Sequence, residues 1–174
     1  MNIKHTFAAV ALLIAGTSST AMAQTTASQK FTVTVPSAIA IIAPANVSII
    51  HDESENDQPF QAQQWVVKGN SLAGVAASFS TNQAFTHTTD PTSKRNAQLG
   101  VAINSSVGAA AWTVTQPTDT TDYANNDGVA TVAISSNGFG RANVDITVAF
   151  ITDGFGSFAS GEYDTTVTGT VTAN

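Results

Sequence analysis

An all-β, antiparallel sandwich is the fold this sequence predicts, and three observations predict it. Apolar and polar residues alternate with a period of two in several segments, the good helix formers are scarce, and turn dipeptides separate the alternating runs. Charged residues make up only 10% of the chain, while Thr, Ser, Ala, Val, Asn and Gly dominate, a mixture that suits strands and tight turns.

The chain opens MNIKHTFAAVALLIAGTSSTAMAQ: a basic start, an apolar run from Phe7 to Ala15, then Ala21-Met22-Ala23. This is the pattern of a secretory signal peptide cut after residue 23, and the apolar run is too short to span a bilayer. Residues 24–174 are then expected to form a single exported domain, found in the periplasm, on the cell surface or outside the cell. The chain has no cysteine, so thiol chemistry, disulfides and thiolate-bound metals are excluded. Its formal net charge of −6 disfavours nucleic acid and anionic lipid as partners, and no membrane insertion is expected.

Phe31, Val33 and Val35 alternate with threonines up to Pro36, which reads as a strand with one buried face. The short runs Ala38 to Ile42 and Val47 to Ile50, divided by Pro44-Ala45-Asn46, read as buried strands. His51 to Pro59 is an acidic loop. Trp65 to Val67 and Gly74 to Phe79 are two further strands around Gly69-Asn70-Ser71. A long polar loop runs from Thr86 to Gln98. Leu99 to Ile103 and Ala111 to Thr115 are expected to make a hairpin across Asn104 to Gly108.

Val129 to Ile134 alternates so as to be buried on both faces. Asn137-Gly138 and Asp153-Gly154 each open a Gly-Phe-Gly and bracket the strand Ala142 to Ile151, which predicts a meander with two tight turns. From Tyr163 to Ala173 the alternation is the clearest in the chain, with Tyr163, Val167 and Val171 on one face. Roughly eight to ten short strands at this spacing give an immunoglobulin-like sandwich as the expected architecture.

No catalytic site is predicted. His51 lies among Asp52, Glu53, Glu55 and Asp57, and Asp119, Asp122 and Asp127 sit with Asn125 and Asn126, but neither set has the spacing of a known cation loop. Turn chemistry and solubility account for both, so no metal and no cofactor are expected. The serines form neither a G-x-S-x-G elbow nor an S-x-x-K pair. Trp65 and Trp112 sit among apolar residues and read as core; Phe139 and Phe155, each between turn glycines, are the aromatics expected to contact a ligand.

The leader, the segment FTVTVPSAIAII, the all-β middle and the ending SGEYDTTVTGTVTAN together resemble the secreted bacterial fimbrial (pilin) subunits and the related spore coat protein U group. In chaperone-usher pilins the last strand carries a glycine about fourteen residues from the end and an aromatic penultimate residue. Gly161 and the face Tyr163, Val167, Val171 match that pattern, whereas Ala173 departs from it. The missing cysteines depart from many pilins and agree with the alternate-chaperone fimbriae.

The resemblance implies an immunoglobulin-like fold that is incomplete until the N-terminal strand of one subunit is donated to the groove of the next. Phe31, Val33 and Val35 would then be the inserted side chains, and Tyr163, Val167 and Val171 would line the acceptor groove. The partners implied are further copies, other surface subunits and a periplasmic chaperone. The expected function is therefore a non-enzymatic structural or adhesive surface protein, a fimbrial or matrix subunit. The alternative is a monomeric secreted module that binds carbohydrate or another ligand through Phe139 and Phe155.

Overall fold

The computed structural model describes residues 25–174, so the predicted leader lies outside the described residues. The chain divides after Thr34, and Val35–Asn174 fold together as one unit. Residues 25–38 carry no regular secondary structure. Phe31, Val33 and Val35 alternate as expected, yet they are 82%, 87% and 74% exposed and belong to no strand. Alternation makes a segment fit to be a strand; only a partner edge makes it one.

Thirteen strands follow: β1 (Ile39–Ile42), β2 (Gln58–Pro59), β3 (Gln63–Gly69), β4 (Val75–Thr81), β5 (Phe85–His87), β6 (Lys94–Arg95), β7 (Ala97–Gly108), β8 (Trp112–Gln116), β9 (Thr118–Thr120), β10 (Thr131–Ser136), β11 (Gly140–Phe150), β12 (Tyr163–Asp164) and β13 (Val167–Ala173). They form an antiparallel sheet in the order β1-β3-β11-β7-β9, with β2 also on β11, and a second sheet in the order β13-β4-β10-β8. A small third sheet, β12-β5-β6, stands at one end.

The main core lies between the two large sheets. Alternate residues point inward from each strand: Trp65 and Val67 of β3, Val75, Ala77 and Phe79 of β4, Leu99 and Val101 of β7, Val132 and Ile134 of β10, Val144 and Ile146 of β11. This is the arrangement expected when period-two strands of two sheets interdigitate. A second cluster of Phe85, Ala97 and Phe150, with Phe60, Phe158 and Tyr163 against it, closes the end that carries the small sheet.

Further sequence expectations need correction. First, Asn137-Gly138 makes no hairpin, because β10 pairs with β4 and β8 while β11 pairs with β3 and β7. Neither Asn137 nor Gly138 takes the positive φ a tight hairpin turn requires, and the chain instead arches from one sheet to the other. Asp153 and Gly154 do take positive φ, but they lead into a loop rather than a paired return strand. Second, β7 runs without a break from Ala97 to Gly108, and β8 pairs with β10, so the predicted hairpin between them does not form.

Third, Val47 to Ile50 is neither buried nor a strand, and β1 is an edge strand with only Ala40 and Ile41 partly covered. Fourth, the stretch from Thr86 to Gln98 is not all loop, since it holds the β5-β6 pairing. Val129 to Ile134 is buried on one face only: Val132 and Ile134 lie in the core, while Thr131 and Ala133 are partly exposed.

Candidate assembly site

Two sheet edges meet on one side of the sandwich. β13 pairs only with β4, and β1 pairs only with β3. Ile41 of β1 reaches across to Gly169 of β13: a Cβ built on Gly169 would lie 2.5 Å from Ile41 Cδ1 and 2.9 Å from Trp65 Cζ3. Glycine at this position is what allows the two edges to approach so closely. Val167 and Val171, two residues either side of Gly169, pack against the main core and stay half-exposed along the same seam.

The segment after β1 continues the theme. Ile42, Val47, Ile49 and Ile50 are all exposed, and Ile50 is 95% so. An apolar seam flanked by unpaired strand edges is the feature that soluble β proteins ordinarily cover or charge.

Of the predicted groove residues, the structure keeps Val167 and Val171 together and separates Tyr163 from them. The strand breaks at Thr165 and Thr166, where Thr165 Oγ1 donates to Gln83 O (2.7 Å) and Thr166 N donates to Asn82 Oδ1 (2.8 Å). These side-chain bonds compete with the sheet ladder and end β12. Tyr163 instead packs edge-on against His87 at 5.0 Å and Phe150 at 5.6 Å, and its hydroxyl bonds Ser93 Oγ at 2.7 Å.

Phe139 and Phe155 are each just under half exposed, as ligand contacts would be, but they stand beyond opposite ends of β11. Eleven strand residues span about 36 Å, so the two rings cannot share one ligand platform. Phe155 stacks on His51 at 5.5 Å, and its amide donates to Glu55 Oε2 at 3.0 Å.

The acidic loops are tied up in turn chemistry. His51 Nδ1 accepts from Glu53 N (3.0 Å), which leaves its Nε2–H to donate to Thr152 Oγ1 (3.1 Å). Asp57 accepts from Thr152 N, and Asp119 accepts from Thr131 N and Thr120 N. Asp122 caps the short 3-10 turn Tyr123–Asn125. The Ser54 hydroxyl and amide hold the Asp52 carboxyl below its ordinary range, and those of Thr92 do the same for Asp90. Among the described residues no group of three or more His, Asp or Glu converges to hold a metal ion.

Sequence reading missed Arg95, which is buried over the Phe158 ring at 4.9 Å and donates to Tyr123 Oη and Ser157 Oγ. β6 is two residues long, too short to show the period that would have marked it. Among the described residues no helix is long and apolar enough to cross a membrane.

Compared with protein-family models, curated proteins and solved structures, the chain has no match.

Proposed function

We propose that this protein is an exported structural or adhesive surface subunit that assembles by β-strand addition, in the manner of the fimbrial and spore coat U-like proteins it resembles. The observation that supports the reading is the pairing of two unsatisfied parts. The chain has a seam of half-exposed Val167, Val171 and Ile41 between two unpaired edges, and an exposed segment whose Phe31, Val33 and Val35 alternate for one face of a strand. Strand addition supplies ladder hydrogen bonds for affinity and alternate side chains for register.

The test is assembly of the exported product, run unboiled on a denaturing gel beside size exclusion. A ladder of heat-sensitive multimers is expected, and removal of residues 24–36 is expected to reduce it to monomer. Multimers that persist unchanged after that deletion would sink the proposal.

The role proposed is non-catalytic. A carbohydrate-binding module remains the competing function, with Phe155 on its His51 stack as the better of its two separated contacts. Phe155→Ala is expected to cost about 1 kcal/mol of stability or less and to leave assembly intact. Retention of the wild type on a glycan matrix, lost in Phe155→Ala, would favour the module instead.

A further inference from the structure

The chain leaves the sandwich at a defined end. Asn70 holds it there, accepting from Ala38 N through Oδ1 (2.7 Å) and donating through Nδ2 to Pro36 O (2.8 Å). At the same end lie the arch from Asn70 to Gly74, the end of β7 at Gly108 and the arch through Phe139. Asn174 is fastened there too, through its amide to Gly74 O and its side chain to Ser136 O. This exit pole exposes large apolar side chains: Leu72 is 84% exposed and Val107 64%.

Acidic charge is segregated along the same axis, while the basic residues are divided, with Lys94 and the buried Arg95 of β6 standing at the far pole. Lys68, Arg141 and Val107 stand side by side on adjacent strands, one residue from the exit ends of β3, β11 and β7, and both cations are exposed. No Asp or Glu occurs in the segments that build this pole, residues 35–41, 65–76, 104–113, 135–143 and 172–174. Every acidic residue of the chain except Asp145 falls in residues 51–60, 82–98, 118–130 or 150–166, which build the opposite pole and its aromatic cluster. That acidic pole also exposes Ile50 and Phe155.

We infer that the exit pole of one copy docks on the acidic pole of a second copy, so that strand addition is accompanied by a head-to-tail contact of opposite charge. The inference rests on the strand-addition reading for its tether. Five residues, 31–35, reach at most about 17 Å past Pro36, so a copy that takes up this strand has one of its own ends close to the exit pole. Like charge repels that copy's basic end and opposite charge favours its acidic end.

The contact is self-propagating, because a contact between two different surfaces of identical copies repeats from copy to copy, giving a filament wherever the rotation between copies does not close a ring. Three buried side chains and one strand's ladder have to offset the freedom lost on association, and a second contact adds to them. A second surface, steered by charge, makes the joint hold.

The experiment uses charge reversal on exposed residues outside the seam, with growth of heat-sensitive multimers followed at low and high ionic strength. The Lys68→Glu, Arg141→Glu variant is expected to elongate about ten-fold more slowly at low salt, with the difference shrinking at high salt. Adding Glu53→Lys and Glu162→Lys to that variant is expected to restore the rate. Folding of each variant is verified by its unfolding midpoint.

Wild-type multimers whose growth is indifferent to the reversals and to salt would overturn the polar contact and leave strand addition standing. Conversely, charge-sensitive multimers that survive deletion of residues 24–36 would support the contact and overturn strand addition. A wild type that stays monomeric under all conditions would overturn both.

Discussion

Phe79→Ala is expected to lower the unfolding free energy by about 3–5 kcal/mol, the cost of emptying a fully buried aromatic site. Phe79 is completely inaccessible, sits mid-strand in β4, and has its strand neighbours Val132 on one side and Gly169 on the other. Its ring meets Trp65 edge-on at 5.3 Å, which joins the two large sheets across the core. The glycine opposite it has no side chain to collapse into the space, so the cavity would stay open. Urea unfolding measures this: the midpoint should fall while the slope is unchanged, since the surface exposed on unfolding is the same. A midpoint shift worth less than about 1 kcal/mol would show that the seam beside β13 can close over the gap, and that the core is more plastic than the packing implies.

The second large effect is at Gly74. Its φ is +91°, and a Cβ there would lie 2.0 Å from the carbonyl oxygen of Ser136 and 2.9 Å from Gly138 N. Both obstacles are backbone, so neither can rotate away. Gly74→Ala therefore forces apart the two arches that link the sheets at the exit pole. It also disturbs the bond from Val75 N to Ser136 Oγ and the attachment of Asn174. Left-handed backbone and overpacking together are expected to cost about 2–5 kcal/mol. Gly128→Ala is the control, because nothing lies within 4 Å of a Cβ built there, and a change of no more than about 0.5 kcal/mol is expected. Equal losses at the two glycines would mean that the arches at the exit pole are not the constraint described.

These two residues also mark where sequence reading succeeds and where it stops. Phe79 was legible as part of a strand of small residues, and the structure buries it with Val75 and Ala77 on alternate positions of β4. Gly74 was legible only as the first residue of a strand; that it sits beneath Ser136, more than sixty residues later, is a consequence of pairing between distant strands. The candidate site divides in the same way. Val167 and Val171 were visible from alternation, but their half-exposure depends on β13 having no neighbour beyond β4. Tyr163 shares their alternation and not their location, because two threonine hydrogen bonds break the strand between them.

By itself the sequence determined that the fold is all-β and, in the clearest strands such as Val167–Ala173, which residues share a face, because side chains in a strand alternate by covalent geometry alone. It also determined a cysteine-free chain with an acidic balance. Tertiary structure decided the rest: that Asn137-Gly138 is an arch between sheets, that two edges meet at Gly169 without pairing, and that acidic loops gather at one pole opposite Lys68 and Arg141. Those outcomes depend on which strands find one another across long stretches of chain, and no local period carries that information.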